Sequence, residues 1–319
     1  MNWLSLYIFY AEPWDQILVD LVKPLAESMQ QQGKVDKFFF IRYWEKGPHL
    51  RLRFLVNAAF EQDVKAQLTE EVGKYLREKP SNYESEAYAE AALQYEWYPN
   101  NSLQWIAYEP EVARYGGPHA LPVAESLFQC SSYTVLEVMA ETQDWDYDAA
   151  LGSAIQMHLA FVHAAGMSKL EAAEFFGWIF QSWLPMAVSQ TLGDEEKEKA
   201  LYAVVEVFDR QFEEQKSVLL PFVQAFWDSM DAPQEYEDDW VQAWIKGSKE
   251  TVDQLQLLAR NNQVAFFEQQ TPVHDRFETP FDRIQFWSIY ASFVHMVNNR
   301  VGVQNRDEGY LGYLICKAL

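Results

Sequence analysis

The chain has 319 residues, 49% of them hydrophobic, enough to bury a large core, so one compact domain or two intimately packed ones are expected. A formal net charge of −22 repels phosphate backbones and no stretch clusters Lys and Arg, which excludes direct nucleic-acid binding. The two cysteines, Cys130 and Cys316, provide neither a disulfide framework nor a paired-thiolate metal motif, in keeping with a reducing, cytoplasmic setting.

The opening residues, MNWLSLYIFYAEPWD, lack a basic leading region, and no later run reaches the ~18 apolar residues that span a bilayer, so a soluble protein is expected. Residues 3–10 (WLSLYIFY) read as a buried strand, and Asp15 to Gln32 as a helix stopped by Gly33. Phe38 to Trp44 and His49 to Val56 are strand-like and joined by Glu45-Lys46-Gly47-Pro48, which predicts a hairpin. A helix is expected from about Glu61 to Arg77, then a polar, broken stretch over 79–102 and a short strand at Gln104 to Tyr108.

From about Leu121 the apolar spacing becomes helical, as in Leu151, Ala154, Ile155, His158 and Leu159, and again in Leu201, Val204, Val205, Phe208 and Phe212. Gly166 stops one helix, Ser168 with Glu171 forms a capping box for the next, and Gly193-Asp194 opens another. The acidic stretch 228–239 reads as an exposed loop. The fold class is therefore α+β: a small mixed α/β sheet region over 1–120, followed by a mostly α-helical region over 121–319, packed as one compact unit.

Three constellations carry charge or hydrogen-bonding groups in patterns that a core does not need. On the second hairpin strand, period two places His49, Arg51 and Arg53 on one face and Leu50, Leu52 and Phe54 on the other. Two guanidinium groups brought to about 4 Å repel by up to ~4 kcal/mol at an effective dielectric near 20, so the face requires an anion. It is met either by a bound carboxylate, which suits an Arg fork, or by the protein's own acids.

In YEPEVARYGG (108–117), Glu111 and Arg114 stand three apart before Gly116-Gly117, either orienting the guanidinium for a ligand or forming a local ion pair. In the last long helix Thr279 is expected to cap, Pro280 to sit in the first turn, and Phe281 to Val301 to be apolar almost all round. Within it Ser288, Ser292, His295 and Asn299 recur at steps of three or four. His295 is then either a general acid or base or a satisfied core histidine.

His158 and His163, five apart, lie about 140° from each other around a helix and share no ligand face. There is no HExxH, phosphate-cradling glycine loop, G-x-S-x-G elbow or dinucleotide fingerprint, so the commonest hydrolase, kinase and dehydrogenase readings fall away.

FFFIRYWEKGPHLRLRF (38–54), YEPEVARYGG (108–117) and FVHMVNNRVG (293–302), in this order and spacing, resemble the C-terminal elimination domain of lantibiotic (class I lanthipeptide) dehydratases. The same domain occurs in thiopeptide-type bacteriocin biosynthesis proteins. In full-length members of that family a larger domain transfers glutamate from glutamyl-tRNA to a Ser or Thr hydroxyl of a precursor peptide, and the smaller domain expels it.

The resemblance implies a standalone, split form, working with a glutamylated precursor peptide and a separate glutamylating component, without cofactor or metal. A homodimer is compatible with it. Residue by residue it implies catalytic roles for Arg51, Arg53, Glu111, Arg114 and His295, with His49, Ser288, Ser292 and Asn299 as substrate-binding neighbours; Val297 stands where many members carry a polar residue or His. Two alternatives stay open: a pyridine synthase joining two dehydroalanines by formal [4+2] cycloaddition on the same scaffold, and a non-catalytic subunit that holds the peptide.

Overall fold

The computed structural model describes residues 1–83, 86–188, 193–231, 239–266 and 276–319. The chain divides into two compact units, Met1–Glu111 with Glu125–Trp145, and Val112–Ala124 with Asp146–Leu319. The fold class is α+β, with a four-stranded N-terminal sheet and helices beyond it.

In the first unit, β1 (Asn2–Phe9), β2 (Val35–Tyr43), β3 (His49–Val56) and β4 (Ser102–Trp105) form a sheet of order β2-β3-β1-β4, antiparallel throughout. The last strand begins two residues earlier and ends three earlier than its apolar pattern predicts, although Ile106 N still donates to Ser5 O beyond it. The hairpin turn works because Lys46 and Gly47 both take positive φ, 64° and 110°.

One face of the sheet, carrying Leu6, Ile8, Phe38, Phe40, Leu52 and Phe54, is closed to solvent. Helix α2 (Lys23–Gln31), entered through α1 (Asp15–Ile17) and a π turn at Leu18–Val22, and helix α3 (Glu61–Glu78) pack on strands of this sheet. Within the stretch 79–102 lies a helix that its polar composition hides, α4 (Glu86–Gln94).

Helix α5 (Leu121–Glu141) solves a problem of the sheet. Strand β2 is an edge, and an edge exposes unpaired N–H groups that recruit other strands. Phe38 N donates to Gln129 Oε1 at 2.9 Å and Phe40 N to Ser132 Oγ at 3.2 Å, so the helix side chains occupy the edge donors. Phe128 and Tyr133 add ring contacts to Phe39 and Phe38.

The second unit contains α6 (Tyr147–Ala164), α7 (Lys169–Trp183), a short 3-10 turn at Leu184–Ala187, α8 (Asp194–Asp231), α9 (Asp239–Arg260), α10 (Phe281–Ile284), α11 (Trp287–Val301) and α12 (Asn305–Ala318). Asp146 caps α6 by accepting from Ala149 N, and Ser168 caps α7 by accepting from Glu171 N. Only half of a capping box forms there, because the Glu171 carboxylate is taken by Arg283 Nε at 2.7 Å. Of the acidic stretch 228–239, residues 232–238 lie outside the described ones.

The long C-terminal helix predicted from Phe281 to Val301 is broken at Gln285 and Phe286, and Pro280 stands at the N-cap of its first piece. Thr279 does not cap: its hydroxyl and N–H donate to Glu174. Gly302, at φ 98°, ends α11 in the left-handed region. Among the described residues no helix is long and apolar enough to cross a membrane.

Candidate functional site

Strand register puts His49, Arg51 and Arg53 on one face, opposite Phe9, Tyr7 and Ser5 of β1 and Tyr43, Ile41 and Phe39 of β2. Arg53 is only 3% exposed. Its guanidinium donates to Ser5 Oγ and, at 3.1 Å, to Tyr7 OH, and lies over the rings of Tyr7 and Tyr108 at 4.9 and 5.2 Å. Its Nε is buried without a hydrogen-bond partner, and among the described residues no carboxylate pairs with it. Burial lowers its pKa, with the Tyr7 oxygen opposing and Arg51 assisting, yet a guanidinium stays protonated in proteins.

Arg51 is the more accessible of the two, with 19% of its side chain exposed. It lies 3.5 Å from the Tyr43 centroid and 4.9 Å from that of Tyr7, and the exposed Glu45 is 3.7 Å away. Arg51 Nε donates to His49 Nε2 at 3.0 Å, while His49 Nδ1 meets the Gly47 carbonyl at 2.7 Å. That carbonyl can only accept, so the His49 proton sits on Nδ1 and Nε2 is the acceptor.

Burial pushes the His49 pKa down to about 4; the bond to Gly47 opposes this and the two arginines reinforce it. His49 is thus a neutral spacer that accepts from Arg51 and donates to the Gly47 carbonyl. Tyr108, one of the rings facing Arg53, donates to Glu125 at 3.2 Å, and burial raises the Glu125 pKa.

The second motif straddles the unit boundary. Glu111 ends the first segment of unit one and is exposed, whereas Arg114 lies in the turn that opens unit two and donates from Nε to Ser292 Oγ at 3.2 Å. This turn needs its glycines. Gly116 and Gly117 take φ of 85° and 95°, and a Cβ on Gly116 would stand 2.9 Å from Ile289 Cδ1. Tyr115 stacks on Phe293 at 5.8 Å, so the turn is seated against α11 on both sides of Arg114's attachment.

On α11, Ser292 also donates back to Ser288 O at 3.0 Å, and His295 follows one turn later. His295 Nδ1 lies 2.8 and 3.0 Å from the two oxygens of Glu308, on α12, and its ring stacks at 5.5 Å on Trp183. Glu308 is 2% exposed and also accepts from Asn298 Nδ2 at 3.1 Å. Asn298 Oδ1 in turn meets His158 Nε2 at 2.7 Å. The His158 pKa is pushed down to about 4, chiefly by complete burial, with the bond to Asn298 opposing.

The structure therefore gathers the predicted residues into sets within each unit: His49, Arg51 and Arg53 in one, and Arg114, Ser288, Ser292 and His295 in the other. Asn299 is half-buried on α11, beside the residue that joins the polar chain, Asn298. Val297 is buried at 2% exposure and serves packing. Sequence reasoning passed over Ser5, Tyr7, Tyr43 and Tyr108, which surround the arginines, and Asn298, Glu308 and Trp183, which surround His295. Strand alternation opposite β3 could have marked Ser5 and Tyr7; nothing local marks Glu308.

Among the described residues no group of three or more His, Cys, Asp or Glu stands in a metal-binding cluster. What these groups can do is bind an anion through guanidinium and phenol donors, and move a proton through an imidazole held by a carboxylate.

The family model described as "Lantibiotic biosynthesis dehydratase C-term" matches residues 3–319. No curated protein matches the sequence. Among solved structures, the pyridine synthase TbtD, from thiomuracin biosynthesis, is similar over 100% of this chain and 97% of its own, with a TM-score of 0.74 and 16% identity. TsrL is similar over 99% and 94%, with a TM-score of 0.66 and 17% identity. The tRNA-dependent lantibiotic dehydratase MibB from Microbispora sp. 107891 covers 99% of this chain, with a TM-score of 0.56 and 17% identity, while the chain spans 28% of MibB. At such identities the solved structures show a shared fold, and the family match over residues 3–319 shows that the chain belongs to the lantibiotic biosynthesis dehydratase C-terminal family.

Proposed function

We propose that the chain eliminates glutamate from glutamylated Ser or Thr residues of a ribosomal precursor peptide, leaving dehydroalanine or dehydrobutyrine, beside a separate glutamylating component. The observation that carries this reading is Arg53, a buried cation whose hydrogen bonds, among the described residues, go to hydroxyl groups. A buried charge without a counter-charge is costly, and a carboxylate arriving from the substrate would relieve it.

In the reaction, a base takes the α-proton of the esterified residue, the electron pair forms the new C=C bond, and the C–O bond breaks so that glutamate departs as a carboxylate. Arg51, the more accessible guanidinium, contacts the leaving carboxylate, and Arg53 reinforces its charge from behind. Preorganised donors of this kind contribute about 3 kcal/mol each to transition-state stabilisation. His295 takes the proton on Nε2, which carries no hydrogen bond among the described residues. Arg114, steadied by Ser292, stabilises charge on the adjacent amide oxygen.

A second reading is favoured by the extent of the structural matches: the chain spans 97% of TbtD and only 28% of MibB. In that reading the protein joins two dehydroalanines of a dehydrated peptide by formal [4+2] cycloaddition, and loss of water and release of the leader peptide leave a pyridine ring. Mass spectrometry of a purified glutamylated peptide incubated with the chain decides between them. Glutamate loss that disappears with His295→Ala supports elimination; glutamate retained by the wild-type chain, with cyclisation of a bis-dehydroalanine peptide, establishes the second reading.

A further inference from the structure

The polar chain behind His295 has a direction. Asn298 Nδ2 can only donate, so Glu308 accepts from it, and with its carboxylate oxygens as acceptors Glu308 takes a second donor from His295 Nδ1. With Nδ2 committed, Asn298 presents Oδ1 to His158, whose Nε2 must then carry the proton. His158 Nδ1 agrees: it is buried and bonded to nothing, as an unprotonated nitrogen facing apolar surroundings would be. The depression of the His158 pKa by burial is in keeping with a neutral ring. Each link has one orientation that leaves no donor facing a donor, and it runs across three helices, α6, α11 and α12.

We propose that Glu308 and Asn298 are positioning residues that hold His295 in the Nδ1–H tautomer, leaving Nε2 as its only proton-accepting nitrogen. This rests on the reading of His295 as the base of the elimination, and it adds what makes that ring competent. Trp183, stacked on the imidazole, holds the plane of the ring, and the bond to Glu308 selects which nitrogen faces the carboxylate. Of the two positioning residues, Asn298 lies within the third sequence motif, whereas the carboxylate that orients the ring lies outside all three, on α12, which they do not include.

An amide at position 308 would break the polarity. Both oxygens of Glu308 lie within hydrogen-bond distance of His295 Nδ1, so whichever way a glutamine is turned its NH₂ faces the Nδ1–H, and in one of the two orientations it also faces the NH₂ of Asn298. The least costly relief is for His295 to move its proton to Nε2, which removes the base while leaving shape and volume unchanged.

The test uses the full chain with ¹⁵N-labelled histidine, recording the tautomer of each ring by long-range ¹H–¹⁵N correlation. In the wild type His295 is expected as Nδ1–H and His158 as Nε2–H; Glu308→Gln is expected to transfer the His295 signal to Nε2–H, and Glu308→Asp to restore much of the wild-type pattern. With glutamylated peptide, Glu308→Gln should lower kcat by about 10²-fold with KM changed less than about twofold, the signature of a base lost without loss of substrate binding.

A wild-type His295 found as Nε2–H, or a tautomer indifferent to Glu308→Gln, overturns the proposal, and the wild-type spectrum alone suffices should the variant not fold. If the tautomers behave as expected but neither His295→Ala nor Glu308→Gln alters glutamate loss, the positioning stands and the elimination reading falls.

Discussion

The two units answer opposite electrostatic problems. In the first, two arginines share a sheet face with tyrosines and a neutral histidine, and among the described residues no carboxylate pairs with the buried one. In the second, a buried carboxylate sits behind a histidine and is held by an amide. A cation set against phenol rings and hydroxyls keeps its charge available for a ligand, because its partners orient it without neutralising it. A carboxylate set against an imidazole spends its lone pairs on orienting that ring. On the proposed reading, that contrast assigns the reception of negative charge to the first unit and the handling of a proton to the second.

The sharpest way to break this comparison is to remove the imidazole. His295→Ala should lower the rate of glutamate loss by about 10²- to 10⁴-fold, the usual contribution of a positioned general base, with peptide binding retained. A rate within threefold of the wild type, measured by mass spectrometry under single-turnover conditions, would place the proton transfer elsewhere.

Acid sharpens it next, since each unit contains one deeply buried histidine whose pKa falls from 6.5 to about 4. Between those values the unfolded chain takes up protons that the native rings refuse, so stability falls as pH falls. Each ring contributes a loss of up to about 3 kcal/mol, complete near pH 4 and absent above pH 6.5. Urea midpoints measured across this range should drop, and His158→Gln should flatten part of the drop; a midpoint insensitive to pH would contradict the burial of both rings.

The cation pair comes third. Arg53→Lys keeps the charge but cannot fork between Ser5 and Tyr7, and should reduce kcat/KM by roughly 10²-fold. Arg51→Lys is expected to act mainly on KM, because Arg51 is the accessible member. Equal, small effects of both would mean that the face is held together for stability alone. The smallest effect belongs to Gly116→Ala, where a positive φ and the close approach to Ile289 should cost about 1–3 kcal/mol, read as a lowered Tm.

Much of the first unit is legible in the sequence because short-range rules govern it. Alternation of polar and apolar residues on β3 gives the facing of His49, Arg51 and Arg53, and Gly47-Pro48 gives the turn. Helix α4 escapes because Pro80 and Pro99 frame a stretch that reads as broken, although EAYAEAALQ is rich in good helix formers. Helix α5 carries a helical pattern like those that follow it, and only the unpaired edge of β2 reveals why its side chains belong with the sheet.

In the second unit the polar stripe on α11 is readable, but its depth is not. Glu308 sits beside Asp307 in the first turn of α12, where acids are favoured by the helix dipole and usually face solvent. Its 2% exposure comes from the packing of α12 against α7, α8 and α11, which no local pattern encodes. Asn298 and Asn299 are adjacent, and the choice between them depends on which neighbouring helix lies against α11. The break at Gln285 and Phe286 lacks a proline or glycine, so the run 281–301 reads as continuous.

The central claim is that this chain, by itself, expels glutamate from a glutamylated peptide. The most direct measurement is the mass of such a peptide after incubation with the purified protein alone, followed over time. Loss of glutamate with appearance of the dehydroamino acid is the expected result. A peptide that keeps its glutamate with the protein alone, at any enzyme concentration, would contradict the account.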